Sequence, residues 1–213
     1  MLLLALAAQA ALPAVNGTRL RPGTVCYAIA RGETVMGATL QTVKATTANG
    51  APAWDVVVHQ RVGDKFDLRD HFVLRQKDLA PIAFDSRKSG VEHVRVVYGP
   101  GKLVTTRPGA APVEIALTGP VWEGNLWGLT FAALPLKEGA HFELPFYQYD
   151  KGLGRFRLDV VGSEKVGDRE AWVVETGGDR KVRYLIGKAD HAELGYAGGG
   201  FAQRLGGDCS GIR

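Results

Sequence analysis

Residues 125–161 read NLWGLTFAALPLKEGAHFELPFYQYDKGLGRFRLDVV, the one stretch where a helix-like apolar cluster interrupts a chain otherwise patterned as strands. Counting from just upstream, Trp122, Leu126, Leu129 and Ala133 fall on one helical face, and Pro135 ends the run because proline cannot continue a helix. Gly128 weakens the segment, so the spacing predicts a short irregular helix near 122–133 rather than a long one. A glycine turn follows at Gly139, and then HFELPFYQY and RFRLDVVG alternate apolar and polar residues as half-buried strands do. The reading is a curved sheet with one covering element.

The same period of two extends in both directions. Trp54, Val56 and Val58 share one face of AWDVVVHQRV, with Asp55, His59 and Arg61 on the other. Phe66, Leu68, Phe72 and Leu74 likewise share one side of FDLRDHFVLR. TVCYAIA, TVMGATLQTV, IAFDSRK, VEHVRVVYG, KLVTTR, VEIALT, REAWVVET, RKVRYLIG and GFAQRL complete the set. That makes about a dozen strands, enough for a meander that curls or closes rather than staying flat.

Hairpin chemistry stands between them, as in Asn49-Gly50, Gly63-Asp64, Gly99-Pro100-Gly101 and Gly167-Asp168. Short links make successive strands antiparallel neighbours. The fold class expected is therefore all-β and mainly antiparallel: a curved meander forming an open or half-closed barrel with one short covering helix. At 213 residues, with no linker, charge block or repeat, the chain reads as a single domain over 15–205, followed by a mobile tail over 206–213 unless Cys209 ties it down.

Residues 1–14, MLLLALAAQAALPA, carry no charged side chain and contain Ala8-Gln9-Ala10, the small-x-small pattern of an export cleavage site. The segment is too short to span a bilayer. Export to the periplasm or envelope is the expectation. The two cysteines, Cys26 and Cys209, are then a candidate disulfide, and a bond closing so long a loop would restrict the unfolded chain by roughly 4 kcal/mol. Two free thiols are the alternative.

The composition, 46% hydrophobic and 23% charged, is that of an ordinary globular chain. The net charge of +4 comes from scattered residues such as Arg155, Arg157, Lys165 and Lys181, with no basic stripe, which argues against nucleic acid. A mild attraction to an anionic membrane surface fits the same numbers.

No catalytic set emerges, and no cofactor or metal is called for. The histidines His59, His71, His93, His141 and His191 form no close-spaced ligand pair; a metal site from Asp70, His71, Glu92 and His93 would need adjoining strands facing one way, and surface histidines beside solvated acids are the simpler reading. Glu164, Asp168, Glu170 and Glu175 follow one another across a hairpin, where acids face water rather than a cleft. Gly207-Asp208-Cys209-Ser210-Gly211 resembles a serine nucleophile region only superficially, because a terminal tail offers neither base nor oxyanion cradle.

The aromatic residues are the better lead. Trp122, Trp127, Phe131, Phe142, Phe146, Tyr147, Tyr149 and Phe156 crowd one region of sequence. If the sheet encloses a space, Trp122, Trp127, Phe131, Phe146 and Phe156 are the candidate lining of an apolar, lipid-binding pocket. Simple core packing is the competing reading, since small barrels are usually filled by side chains. Tyr147 and Tyr149 fall on the face opposite Phe146.

Several phrases together resemble the bacterial family called domain of unknown function 3108: YAIARGETVMG (27–37), FVLRQKDLAPIAFDSRKSG (72–90), LWGLTFAALPLKEGAHFELPF (126–146), VVGSEKV (160–166) and AWVVE (171–175). The chain departs from the family pattern at RYLIGKADHAELGY (183–196). The resemblance implies an exported β-rich domain, related to the half-barrels of periplasmic lipoprotein carriers, and no reaction. The function expected is a non-enzymatic envelope protein whose partner is a lipid or apolar small molecule held in a sheet groove. An interaction module with a filled core, docking another envelope protein, is the first alternative, and a hydrolase the second.

Overall fold

In the computed structural model, which describes residues 12–177 and 181–212, nearly every alternating run becomes a strand. In chain order the elements are a 3-10 turn (Gly17–Arg19), β1 (Gly23–Arg31), β2 (Thr34–Ala48), β3 (Ala51–Val62), β4 (Phe66–Arg75), β5 (Pro81–Lys88), β6 (Val91–Gly99), β7 (Lys102–Thr106), β8 (Val113–Ala116), β9 (Trp122–Glu123), α1 (Trp127–Ala132), β10 (His141–Gln148), β11 (Gly152–Val166), β12 (Arg169–Thr176), β13 (Val182–Gly187), β14 (Glu193–Gly198) and β15 (Phe201–Leu205). The expected 1–14 leader falls mainly on 1–11, which lie outside the described residues.

All fifteen strands form one sheet in the order β8-β7-β6-β5-β4-β3-β2-β1-β15-β14-β13-β12-β11-β10-β9. Every pairing is antiparallel except β9 with β10. The sheet is a single curved meander, open between β8 and β9, as the hairpin chemistry implies. Two strands escape the sequence pattern. β9 is only two residues long, and β14 carries Gly195 at φ 135, where a side chain would run into the backbone of Gln203. The helix is also shorter than expected: six residues, with Trp122 in a strand rather than on its face.

Gly128 has a reason beyond weak propensity. It sits in the first turn of α1 against the Glu193 side chain, and a Cβ there would collide with the carboxyl group. The helix is held from the other side by the N-terminal segment: Asn16 N–H donates to Ala133 C=O at 2.8 Å, and the Arg19 guanidinium donates to Leu134 C=O. Trp54 Nε1–H anchors that segment by donating to Gly17 C=O at 2.9 Å.

Pairing across the sheet also defines two rims. The turns step steadily along the strand direction, from Thr105 opposite Val113, through Lys88 opposite Val91, Val62 opposite Phe66 and Arg31 opposite Thr34, to Gln148 opposite Gly152. A stagger of roughly one residue per strand corresponds to barrel strands tilted by about 35°. Turns 32–33, 63–65, 89–90, 149–151 and 199–200 therefore share one rim, and turns 49–50, 76–80, 100–101, 167–168 and 188–192 the other.

The interior is filled. Trp54, Val56, Phe72, Leu74, Phe84, Val94, Val96 and Leu103 from β3 to β7 pack in one cluster with Phe131, Leu134, Leu144, Leu158 and Ile186. Removing such side chains from water is worth about 1.5–3 kcal/mol each. No helix among the described residues is long and apolar enough to cross a membrane, which says nothing of β-barrel insertion.

Cys26 and Cys209 are joined in a disulfide that closes a separation of 183 residues. Residues 206–212, expected to be mobile unless Cys209 tied them, lie packed: Gly206 N–H donates to Cys26 C=O, Arg61 donates to Gly211 C=O at 2.6 Å, and Ile212 is buried. Replacing both cysteines by serine should lower unfolding free energy by about 5 kcal/mol, the chain-entropy value for so long a loop, and open the tail to proteolysis. Denaturant titration of the oxidised and double-serine proteins measures it, and an unchanged midpoint would show that the bond carries no stability.

Candidate functional site

The open side of the sheet is managed by overlap. Strand β10 alternates, so Phe142, Leu144 and Phe146 share one face and Tyr147 the other. Both faces are covered. On the Tyr147 side the cover is the inner face of β5–β7: the Tyr147 hydroxyl hydrogen-bonds the Thr105 hydroxyl at 2.7 Å, and its ring meets Tyr98 edge-on at 6.4 Å. Just beyond β10, Tyr149 stacks on Phe84 at 5.8 Å and its hydroxyl lies 3.3 Å from His93 Nε2. Arg107 closes the corner, donating to Tyr149 C=O at 2.8 Å with its guanidinium over the ring. The β9–β10 edge is thus tucked beneath β5–β7.

Burial pushes up three carboxyl groups, Glu123 and Asp70 near this overlap and Glu193 beside α1. Glu123 is fully buried and accepts from the Tyr98 hydroxyl at 2.5 Å and from Asn125 Nδ2–H at 2.7 Å. Burial outweighs those hydrogen bonds and pushes it up to about 7. Glu193, packed on Gly128 beside Tyr184 and Tyr196, is pushed up to about 7 by burial alone. Asp70 accepts from the Ser86 hydroxyl, and burial holds it at about 6. His93 is driven below its ordinary value, first by burial and then by Lys88 and Arg107.

These groups do not converge on a reacting centre. Tyr98, Glu123 and Asn125 satisfy one another across β6 and β9, and Asp70 is engaged with Ser86 on adjacent strands. The Asp70, His71, Glu92 and His93 set also disperses. His71 lies on the opposite face from Asp70, its Nδ1 2.9 Å from Asp85 and its Nε2 3.1 Å from Asp55, while Glu92 pairs with Arg95. Among the described residues no group of three His, Cys, Asp or Glu is arranged to hold a metal ion. The hairpin acids are surface ion pairs, Glu164 with Arg183, Glu170 with Lys188 and Glu175 with Lys181.

The candidate aromatic residues divide. Trp127, Phe131, Phe146 and Phe156 come together, but they stack on one another: Trp127 lies 4.1 Å from Phe156, 5.2 Å from Phe146 and 5.6 Å from Phe131. Tyr184 extends the stack from Phe131 at 4.9 Å. Trp122 is elsewhere, buried in β9 with its Nε1–H donating to Asp78 C=O at 3.1 Å. The rings therefore fill the interior rather than line a void within it.

The space lies outside that stack. A groove of about 560 Å3 follows the seam between 117–121 and the β10–β11 hairpin, lined by Leu12, Leu117, Val121, Pro145, Phe146, Leu153, Gly154 and Arg155, with Thr118, Gly119 and Pro120 completing one wall. Of the five candidates only Phe146 reaches it. Its ring forms the floor because position 154 is glycine: a Cβ there would stand 2.6 Å from Phe146 Cζ. A smaller hollow of about 370 Å3 beside the C-terminal segment is lined by Val35, Arg61 and Ile212 among others.

Sequence patterning missed Leu117, Val121 and Leu153, because a groove between two ends of a sheet is set by overlap and not by local periodicity. It also missed Glu123, whose signal was an acid placed between Trp122 and Gly124 in an apolar run.

With Glu123 and Glu193 near 7 and unfolded glutamates near 4.5, the folded state holds extra protons between these values. Stability is then highest below about 4.5, falls as pH rises to about 7 and levels off above. Chemical unfolding should give an unfolding free energy higher at pH 5 than at pH 8 by a few kcal/mol, and Glu123→Gln with Glu193→Gln should flatten the difference. An equal slope in the double variant would place the linkage elsewhere.

The family model described as a protein of unknown function, DUF3108, matches residues 25–196. Among solved structures, a β-barrel-like protein of the domain of unknown function DUF1849 from Brucella abortus is similar, with a TM-score of 0.52 and 11% identity over 88% of this chain and 95% of that one. At that identity the likeness concerns the fold alone. No curated protein matches the chain.

Proposed function

Since the chain belongs to DUF3108, a family described as of unknown function, we propose from the groove itself that this is an exported, non-enzymatic envelope protein that holds an apolar, lipid-like chain. The observation that carries the reading is the seam groove, whose volume of about 560 Å3 is that of small-molecule sites. Phe146, Leu117, Val121, Pro145 and Leu153 supply apolar contact. Arg155 at the edge donates to Glu143 at 2.8 Å, so a head group would meet a paired and water-exposed cation.

One further observation agrees with it. The Cys26–Cys209 bond suits an oxidising compartment, where such bonds persist.

The filled interior favours a second reading, an interaction module that docks another envelope protein. Its natural contact is β8, which pairs with β7 on one side only and is free to accept an added strand.

Brominated fatty acid separates the two. Trp127 lies 5.2 Å from Phe146, so a chain in the groove should quench indole fluorescence saturably. Leu153→Asp, at an exposed position that spares the core, should weaken binding at least tenfold, and Phe146→Ala severalfold. Equal quenching by wild type and Leu153→Asp would remove the groove from the account.

A further inference from the structure

The two rims of the sheet differ in a way that packing does not require. On the rim formed by turns 32–33, 63–65, 89–90, 149–151 and 199–200, large apolar side chains stand in water beside successive hairpin tips. They are Val35 (65% exposed), Val91 (69%), Leu153 (51%), Phe201 (45%), Phe66 (42%) and Met36 (38%). The opposite rim has two such residues, Val97 three positions before turn 100–101 and Leu205 at the end of β15, and none beside 49–50, 76–80, 167–168 or 188–192. A turn has no structural use for exposed valine or phenylalanine, whereas the opposite rim shows that these turns form without them.

Charge leans the same way without dividing cleanly. Near the apolar tips Arg31, Lys65, Lys88 and Lys151 enter no ion pair among the described residues, beside the paired Arg61 and Arg87, and Arg31 lies over the Phe201 ring at 5.9 Å. Near the other rim Arg75, Lys102, Arg169 and Lys188 are tied to Asp78, Glu114, Asp190 and Glu170, and Lys77 and Lys165 are not tied. The tips also carry Glu33, Asp64 and Asp150, so attraction there is local rather than that of a uniformly basic face.

Isolated apolar side chains on separate turns, interleaved with free cations, suit a fluid surface more than a protein. A protein hot spot needs contiguous area from which water is excluded. Lipid head groups instead close around each wedge separately, and each cation near an anionic surface adds about 1 kcal/mol. We propose that this rim seats the protein on an anionic lipid surface, with Phe66, Phe201 and Val91 entering the head-group layer and Arg31, Lys65 and Lys88 contacting phosphates. Leu153 belongs to both the rim and the groove, so the seated rim would turn one end of the groove toward the bilayer. That last consequence rests on the groove reading; the seating does not.

Vesicle sedimentation tests it, using the full chain with the same N-terminus in every sample and vesicles of phosphatidylcholine alone or with 30% phosphatidylglycerol. Wild type should bind the anionic vesicles at least tenfold more tightly than the neutral ones, and added salt should weaken that binding. Phe66→Ser with Phe201→Ser, and separately Lys65→Glu with Lys88→Glu, should each lower binding to anionic vesicles by tenfold or more. Lys77→Glu on the opposite rim should leave it unchanged. These substitutions are at exposed positions, and unchanged fatty-acid quenching would show that fold and groove survive. Failure of wild type to bind either vesicle, equal binding to both, or equal binding by the rim variants would overturn the proposal without touching the groove reading, which fails only if Leu153→Asp quenches as wild type does.

Discussion

Everything in this molecule depends on what happens to the two ends of a fifteen-stranded sheet. A sheet of that width curls, and its unpaired edges are exposed donors and acceptors unless they are joined or covered. Here they are not joined. The β9–β10 end passes under β5–β7, and polar side chains fasten the overlap: Thr105 to Tyr147, Tyr98 to Glu123, and Arg107 to the Tyr149 carbonyl. Strand β8 stays outside with one free edge. The overlap fills the interior, because the inner turn of the sheet occupies the place where an open half-barrel would have a cavity.

From that constraint follow the features of the candidate site. The aromatic stack of Trp127, Phe131, Phe146 and Phe156 is the packing that the inner turn needs, its rings set against one another. The step from outer to inner layer leaves a groove instead, at the seam where 117–121 crosses between β8 and β9. The same step buries Glu123. A lone carboxylate so placed would be costly, and it is tolerated because Tyr98 and Asn125 hold it and because burial favours its neutral form. Glu193 is accommodated differently, against the bare backbone of Gly128, which explains a glycine that helix propensity alone disfavours.

Much of the fold was legible because strand alternation and hairpin turns are local properties. FDLRDHFVLR, VEHVRVVYG and REAWVVET become β4, β6 and β12 residue for residue. β14 was not legible, since its glycines serve close approach, Gly195 to Gln203 of β15 and Gly198 to Val182 of β13, rather than a turn, and β9 was too short to carry a period. The helix was overextended because Trp122 matches its face at helical spacing while its backbone pairs with Phe146. Of the candidate aromatic residues Phe146 alone reaches the groove. The others obeyed the packing alternative, and no sequence period could distinguish the two, because that depends on which layer lies over which. The rims were equally invisible: Val35, Phe66, Val91 and Phe201 are far apart in sequence and come to one rim only through the pairing of the strands.

The overlap itself is best tested energetically, between residues that only it brings together. Thr105 and Tyr147 are 42 positions apart, on β7 and β10, and share a buried hydrogen bond. A double-mutant cycle of Thr105→Val and Tyr147→Phe, measured by denaturant unfolding, should give a coupling energy of about 1 kcal/mol. Additive effects of the two substitutions, with no coupling, would mean that the β9–β10 edge does not lie beneath β7, and the account of the seam, the groove and the filled interior would fall with it.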